Sequence, residues 1–227
     1  MKYLLKNVFK SVVSLTIGSQ RAMYWLANEI DKNTFYLQSA GYLFQTGWTN
    51  SINFSRPVDR NNIPIPWLTY PFISFIEERL NKNFNVLEFG SGNSTLYFSH
   101  KIEKIVSFEN DKKWFQLIQK EIPNNIELHL CKDCRNVKNI LSVKKQYFDI
   151  ILIDGFDRNE ATFMSLEYLK NTGILVLDDS ERSEYNPTIK LLMQKGYKKI
   201  DFWGLAPCIN YLKCTSIFYR TQNCLDI

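Results

Sequence analysis

Two short runs constrain this chain more than anything else in it: Ile150-Ile151-Leu152-Ile153 and Ile174-Leu175-Val176-Leu177 contain no polar residue. A strand with one wet face alternates apolar and polar side chains, because successive residues point to opposite sides. Strands apolar on both sides need covering on both faces, which is the situation inside a parallel sheet held between two layers of helices. The surrounding pattern agrees. Strand-like runs at 84–89, 104–108, 126–130, 148–153 and 173–177 are separated by helix-compatible stretches at 111–121 and 159–170, and a further helical pattern covers 68–80. After a helix at 187–195, two more runs at 197–203 and 215–220 are separated by a loop with Gly204 and Pro207 rather than by a helix, which predicts an antiparallel pair at the sheet's edge. The expected fold class is α/β: a Rossmann-like, doubly wound, mostly parallel sheet with a C-terminal antiparallel strand pair.

In front of that domain, which is expected to span 66–227, residues 1–65 read as a helical arm followed by a loop. Leu4, Leu5, Val8, Phe9, Val12 and Val13 recur at helical spacing with Lys2, Lys6 and Lys10 on the other side, a short basic amphipathic helix. The lysines interrupt the apolar stretch, so neither a secretory leader nor a membrane span is expected. The apolar stripe is expected to pack on the protein's own body or a second copy, or to lie on a membrane surface. Residues 44–65, with Gly47, Pro57 and Pro64, lack periodicity and read as loop. The net charge, 28 − 23 = +5, is scattered without a run, so no nucleic-acid partner is expected. Five cysteines, an odd number, argue against a disulfide framework and for a reducing, cytoplasmic setting.

Open parallel sheets bind ligands at the carboxyl ends of their strands. Here the first such end is Val86-Leu87-Glu88-Phe89-Gly90-Ser91-Gly92-Asn93-Ser94-Thr95. Gly90 and Gly92 permit a sharp turn and close approach, and Ser94 and Thr95 begin a helix whose N-terminal amides are free. Glu109 ends the next strand, 109 − 92 = 17 positions on, near the separation of about 20 at which an acidic side chain meets a ribose hydroxyl. The two together point to a nucleoside ligand. A dinucleotide fingerprint places a third glycine where this chain has Thr95, which disfavours NAD. Glu88 suits a ligand with an amine and a sulfonium.

The segments V-L-E-F-G-S-G-N-S-T, V-S-F-E-N-D, F-D-I-I-L-I-D-G and G-I-L-V-L-D-D-S, followed by the antiparallel pair, resemble the successive motifs of class I S-adenosylmethionine-dependent methyltransferases over residues 66–220. The resemblance implies that Glu88, Gly90 and Gly92 line the methionine end of S-adenosyl-L-methionine, with Ser94 and Thr95 at the helix start. It also implies that Glu109 holds the ribose, that Asn110 lies beside the adenine, and that Asp133 meets the adenine amino group. Trp114 either flanks the adenine or is a core aromatic. Cys131 and Cys134 lack the further ligands of a zinc site and read as ordinary thiols.

For the acceptor, Asp154-Gly155-Phe156-Asp157 replaces the proline motif of base N-methylating enzymes. Asp154, Asp178 and Asp179 stand at neighbouring strand ends about 5 Å apart, and converging carboxylates need a cation or a proton to coexist. Mg²⁺ is the expected occupant, with Asp154, Asp178 and Asp179 as ligands, in an arrangement similar to that of metal-dependent small-molecule and sugar O-methyltransferases. Capping, or pairing with Arg182, is the alternative role for Asp178 and Asp179. Neither His100 nor His129 maps near these ends, so a carboxylate, Asp154 or Asp179, or else Tyr185, is expected to take the proton. Arg158, Glu181, Arg182 and Tyr185 are the substrate-side candidates, and 66–71 is either a lid or a packing seam. The expected activity is O-methylation of a small polar or sugar-type acceptor. A metal-free methyltransferase acting on an amine, carboxylate, RNA or protein, and a non-catalytic binding or membrane-surface module, remain the alternatives.

Overall fold

The computed structural model describes residues 33–120, 122–141 and 145–227. The amphipathic pattern at 1–20 lies outside the described residues. Seven strands form one sheet in the order β3-β2-β1-β4-β5-β7-β6, where β1 is Asn85–Phe89, β2 Lys104–Glu109, β3 Ile126–Leu130, β4 Phe148–Ile153, β5 Leu169–Asp178, β6 Lys198–Gly204 and β7 Lys213–Tyr219. The first five pair in parallel and the last two antiparallel, as the patterning predicts. The order reverses between β1 and β4, so the crevice at that point opens where ligands bind in sheets of this kind.

Both faces are covered. Leu87, Phe89, Val106, Phe108, Ile151, Ile153, Leu175 and Leu177 point into one layer, and Val86, Ile105, Ile150, Leu152, Ile174 and Val176 into the other. Each fully buried Val, Leu, Ile or Phe contributes about 1.5–3 kcal/mol. After a π-helical turn at Tyr36–Ala40 come α1 (Tyr42–Gln45), α2 (Trp48–Phe54), α3 (Tyr70–Glu77) and α4 (Asn93–Ser99). They are followed by α5 (Lys112–Ile118), α6 (Val137–Leu141), α7 (Arg158–Ser165) and α8 (Asn186–Gln194). Phe72, Ile73 and Ile76 of α3 and Leu96 and Phe98 of α4 cover one face, and Val137, Leu141, Ala161 and Leu192 of α6, α7 and α8 the other.

Two expectations change. The helical pattern at 159–170 stops at Ser165, and after a 3-10 turn at Leu166–Tyr168 the chain is already strand at Leu169. Leu169 pairs with Phe148, and the Lys170 ammonium is held at 2.8 and 2.9 Å by both oxygens of Asp149, so tertiary pairing overrides local propensity. The segment 44–65 is not simply loop, since α2 lies within it. That helix buries only Ser51, whose hydroxyl donates to Val58 O and accepts from Val58 N, and a helix without an apolar stripe gives no periodic signal.

The segment 66–71 is the seam between this region and the sheet edge. Leu68 and Thr69 are fully buried, Thr69 Oγ1 donates to Phe202 O at 3.0 Å, and Tyr70 N donates to Leu205 O at 2.9 Å. The arm-side residues also reach the C-terminal half: Trp48 Nε1 donates to Ile209 O at 2.6 Å. All five cysteines are free, and among the described residues no helix is long and apolar enough to cross a membrane.

Candidate functional site

At the switch point β1 and β4 end in two glycines that touch. A Cβ on Gly90 would lie 2.7 Å from Gly155 backbone atoms, one on Gly155 would lie 2.7 Å from Gly90 N, and Gly90 has φ of +99°. Only glycine permits that approach at a left-handed backbone angle. Gly92, by contrast, is extended at φ of 169°, and a Cβ there would make an ordinary contact with the Trp114 indole at 3.7 Å.

Above this turn lies a cavity of about 510 Å³. One end is bounded by Gly90 to Ser94, Glu109, Asn110 and Trp114, the other by Asp154, Arg158, Asp178, Asp179, Arg182 and Lys213. Ser55, Arg56, Pro57 and Trp67 close the side contributed by the region before β1, and Asn93 Nδ2 donates to Pro57 O. Residues before 66 are therefore part of the site.

Glu109 ends β2 as expected and faces the cavity. Its Oε2 accepts from Ser91 N and Ser91 Oγ, both at 3.0 Å, and its Oε1 from Asn110 N and Asp111 N, both at 2.8 Å. Those four bonds saturate an ionised carboxylate. Three of the donors are backbone amides fixed by the turn, and Ser91 Oγ alone can rotate away. Trp114 Nε1 donates to Ser91 O at 2.6 Å, which pins the half-exposed indole along the glycine loop. Asn110 lines the same end.

Glu88 stands elsewhere. Instead of lining the cavity it lies fully buried beneath the loop, accepting from Ser94 Oγ and Thr95 Oγ1 at 2.5 Å and from Ser107 Oγ at 2.6 Å. Burial pushes its carboxyl up to about 7, against the three hydroxyl donors that favour the charge. Thr95 Oγ1 in turn accepts from Gly92 N at 2.8 Å, so Thr95 is a strut inside the turn, while Ser94 both lines the cavity and reaches Glu88. Asp133 lies on the turn after β3 and is not part of the cavity wall.

At the other end the three aspartates converge as expected, but the chain supplies their counter-charges. Lys213 Nζ donates to Asp178 Oδ2 and lies 2.7 Å from Asp179 Oδ1. Arg158 Nη2 lies 3.3 Å from Asp154 Oδ1 and its Nη1 3.1 Å from Asp179 Oδ2; Arg182 Nη2 is 2.6 Å from the same Asp179 oxygen. Asp178 Oδ1 accepts from Thr215 Oγ1 at 2.7 Å. Three carboxylates therefore meet three cations. Among the described residues no group of three or more His, Cys, Asp or Glu side chains is placed to hold a metal, and the set does not fit Mg²⁺: a hard divalent ion needs carboxylate oxygens that Lys213 and the two arginines already occupy. The expectation of a metal on Asp154, Asp178 and Asp179 is corrected accordingly.

Their titration follows the same contacts. Asp154, partly open to the cavity, has its carboxyl raised well above the usual range by burial and by the neighbouring Asp178. Asp179 is held below it: Lys213, Arg158 and Arg182 outweigh the cost of its burial. Asp179 adopts a left-handed backbone at φ of 52°, a tight turn out of β5 that points its side chain back at the cluster.

Tyr185 is not in this cavity. Its ring lies behind Arg158, 5.7 Å from the guanidinium carbon, and faces a separate hollow lined by Asp157, Asn159, Glu160, Phe163 and Glu184. Glu181 accepts from Cys214 N at 2.8 Å and serves as a brace between β5 and β7. Lys213, Arg56 and Tyr211 are among the cavity residues that sequence reasoning did not single out, with Ser55 and Ile209 beside them in the lining. Register alone brings Lys213 in: Asp178 pairs with Thr215 across β5 and β7, and Lys213 lies two residues away on the same face.

No family model and no curated protein sequence matches the chain. Among solved structures it is similar to an rRNA methylase from Streptococcus thermophilus, at 16% identity and a TM-score of 0.51, over 66% of this chain and 96% of that one. A precorrin-6y C5,15-methyltransferase from Geobacter metallireducens superposes at 14% identity and a TM-score of 0.53, over 66% and 87%. A precorrin 8w decarboxylase from Methanobacterium thermoautotrophicum does so at 13% and 0.50, over 72% and 96%. At these identities the likeness is one of fold, and the chain has the Rossmann-like α/β fold of those proteins.

Proposed function

We propose that the chain is an S-adenosylmethionine-dependent methyltransferase that transfers a methyl group to a hydroxyl of a small polar acceptor without a divalent metal. The observation that carries the reading is a single cavity bounded by a nucleoside-type end, Gly90 to Gly92 with Glu109, and by an acid–base end, Asp154 with Lys213 and Arg158. S-adenosylmethionine would supply an activated methyl group on a sulfonium. Glu109, Asn110 and Trp114 are the residues to hold its nucleoside. A ribose hydroxyl would take the place of Ser91 Oγ on Glu109, the one rotatable donor there.

At the other end the residues can bind a hydroxyl and accept its proton. Lys213 has three N–H donors and spends two on Asp178 and Asp179, which leaves one for an acceptor oxygen. Asp154, the most open of the three aspartates and with its carboxyl raised by burial and by the neighbouring Asp178, is the base once ionised. As oxygen gains the methyl group it loses its proton to Asp154, and Arg158 and Lys213 balance the carboxylates before and after. Since the base must be ionised and its carboxyl is raised, turnover should rise with pH through a range above that of an ordinary aspartate and then level off.

Calorimetric titration with S-adenosylmethionine, S-adenosylhomocysteine and NAD tests the cofactor. Both sulfur nucleosides should bind in preference to NAD, and Glu109→Ala should weaken them by about 1.5–3 kcal/mol for each charge-assisted hydrogen bond lost. Asp154→Asn should abolish turnover and spare cofactor binding. Tight NAD binding, or a Glu109→Ala protein with unchanged affinity, removes the assignment.

A further inference from the structure

The charges lining the cavity are not distributed evenly with depth. The carboxylates lie deep and occupied: Glu109 accepts four hydrogen bonds from Ser91, Asn110 and Asp111, and Asp154, Asp178 and Asp179 are paired with Arg158, Lys213 and Arg182, each of the three aspartate side chains being at most 16% exposed. The cationic groups that remain open are two guanidiniums. Arg182 keeps a side chain 48% exposed although its Nη2 lies 2.6 Å from Asp179, and Arg56 is exposed, lines the cavity, and has no carboxylate within ion-pair distance among the described residues. A ligand entering the mouth therefore meets positive charge first, although the lining carries equal numbers of acidic and basic side chains. Two large aromatic surfaces, Trp67 at 45% and Tyr211 at 57% exposed, line the same cavity.

We infer that the acceptor bears an oxyanion, a phosphate or a carboxylate, on the end that stays outermost, and that Arg56 and Arg182 receive it while Trp67 and Tyr211 flank the body of the molecule. Guanidinium forks match both oxyanions, whose two oxygens and opposite charge make the paired N–H···O bonds stronger than those to a neutral acceptor. The aromatic faces add contact area without charge selectivity, which suits a ring between the oxyanion and the reacting hydroxyl. Position explains the division of labour. A guanidinium at the mouth can select and orient an anion, whereas the deep cations are held by the aspartates, with one Lys213 N–H left for the reacting hydroxyl. The inference rests on the methyltransferase reading for the identity of the reaction, but the oxyanion site itself does not.

The test uses the full-length protein with two independent readouts. In the first, binding of inorganic pyrophosphate and of citrate is measured by calorimetry, with and without S-adenosylhomocysteine, for the unaltered protein and for Arg56→Ala, Arg56→Lys and Arg56→Glu. Since Arg56 is exposed, these variants should keep the parent melting temperature, which checks the fold. Binding should weaken roughly tenfold in Arg56→Ala, disappear in Arg56→Glu and return in part in Arg56→Lys; preference for pyrophosphate or for citrate distinguishes a phosphate from a carboxylate acceptor. In the second, release of S-adenosylhomocysteine from S-adenosylmethionine is followed with glucose, glucose 6-phosphate and glucuronate, and the anionic members should be methylated at least about tenfold faster than the neutral one, an advantage lost in Arg56→Glu. Binding of either anion that is indifferent to Arg56→Glu, or no binding of either anion, overturns the oxyanion site. Anion binding that follows Arg56 in a protein that does not bind S-adenosylhomocysteine upholds the site and overturns the methyltransferase reading instead.

Discussion

Replacing Glu88 by Gln should change how the stability of this protein depends on pH, and in a direction opposite to the usual one for a carboxylate. Glu88 is fully buried, touches no cation, and is held by three hydroxyl donors from Ser94, Thr95 and Ser107. Its carboxyl is raised from 4.5 to about 7, so between those values the folded state keeps a proton that the unfolded chain has released. Stability then falls as pH rises through that window, and the contribution is fully present only below the unfolded value. That separation corresponds to a loss of about 3 kcal/mol between pH 4.5 and 7. Glutamine has the same shape, cannot ionise, and can both accept from and donate to hydroxyls that rotate, so the variant lacks that loss. Urea or thermal unfolding of both proteins at pH 4.5, 6, 7 and 8 reads the difference directly, because every other carboxylate titrates alike in the two. Relative to the parent, Glu88→Gln should gain about 3 kcal/mol from pH 4.5 to 8, about 6–12 °C in melting temperature for a chain of this size. A difference that stays constant with pH would show that Glu88 is ionised throughout and that the three hydroxyls outweigh its burial.

The remaining expectations concern the two ends of the cavity. Lys213→Met leaves Asp178 and Asp179 buried with only Arg158 and Arg182 nearby, and unfolding measurements should show a loss of about 3–5 kcal/mol, much of it recovered when Asp178→Asn is added. If the single variant is as stable as the parent, the cluster is not the neutralised unit described above. Gly155→Ala forces a Cβ to within 2.7 Å of Gly90 N, so the strand ends must part; roughly 1–3 kcal/mol of stability should go, together with nucleoside affinity measured by calorimetry.

The core was legible in sequence because it is local. Apolar runs such as Ile150 to Ile153 fix which strands are central, the Gly90 and Gly92 turn sets where the crevice opens, and Glu109 closes a strand of known period, each signal being contained in a short run of its own. Glu88 was misplaced although the same alternation locates it. Leu87 and Phe89 face one layer, so Val86 and Glu88 face the other, toward α4 rather than up into the crevice. The helix α2 left no trace because a helix that buries one serine has no apolar stripe to detect. What fills the space among Asp154, Asp178 and Asp179 was beyond any local reading. Lys213 is 35 positions from Asp178 and reaches it only through the antiparallel register of β5 and β7, and Arg56 reaches the cavity only because the region before β1 packs beside Asn93. Spacing along the chain can show that carboxylates gather at strand ends. Which cation meets them is settled by pairing between distant segments, since electrostatic partners are chosen by proximity in space.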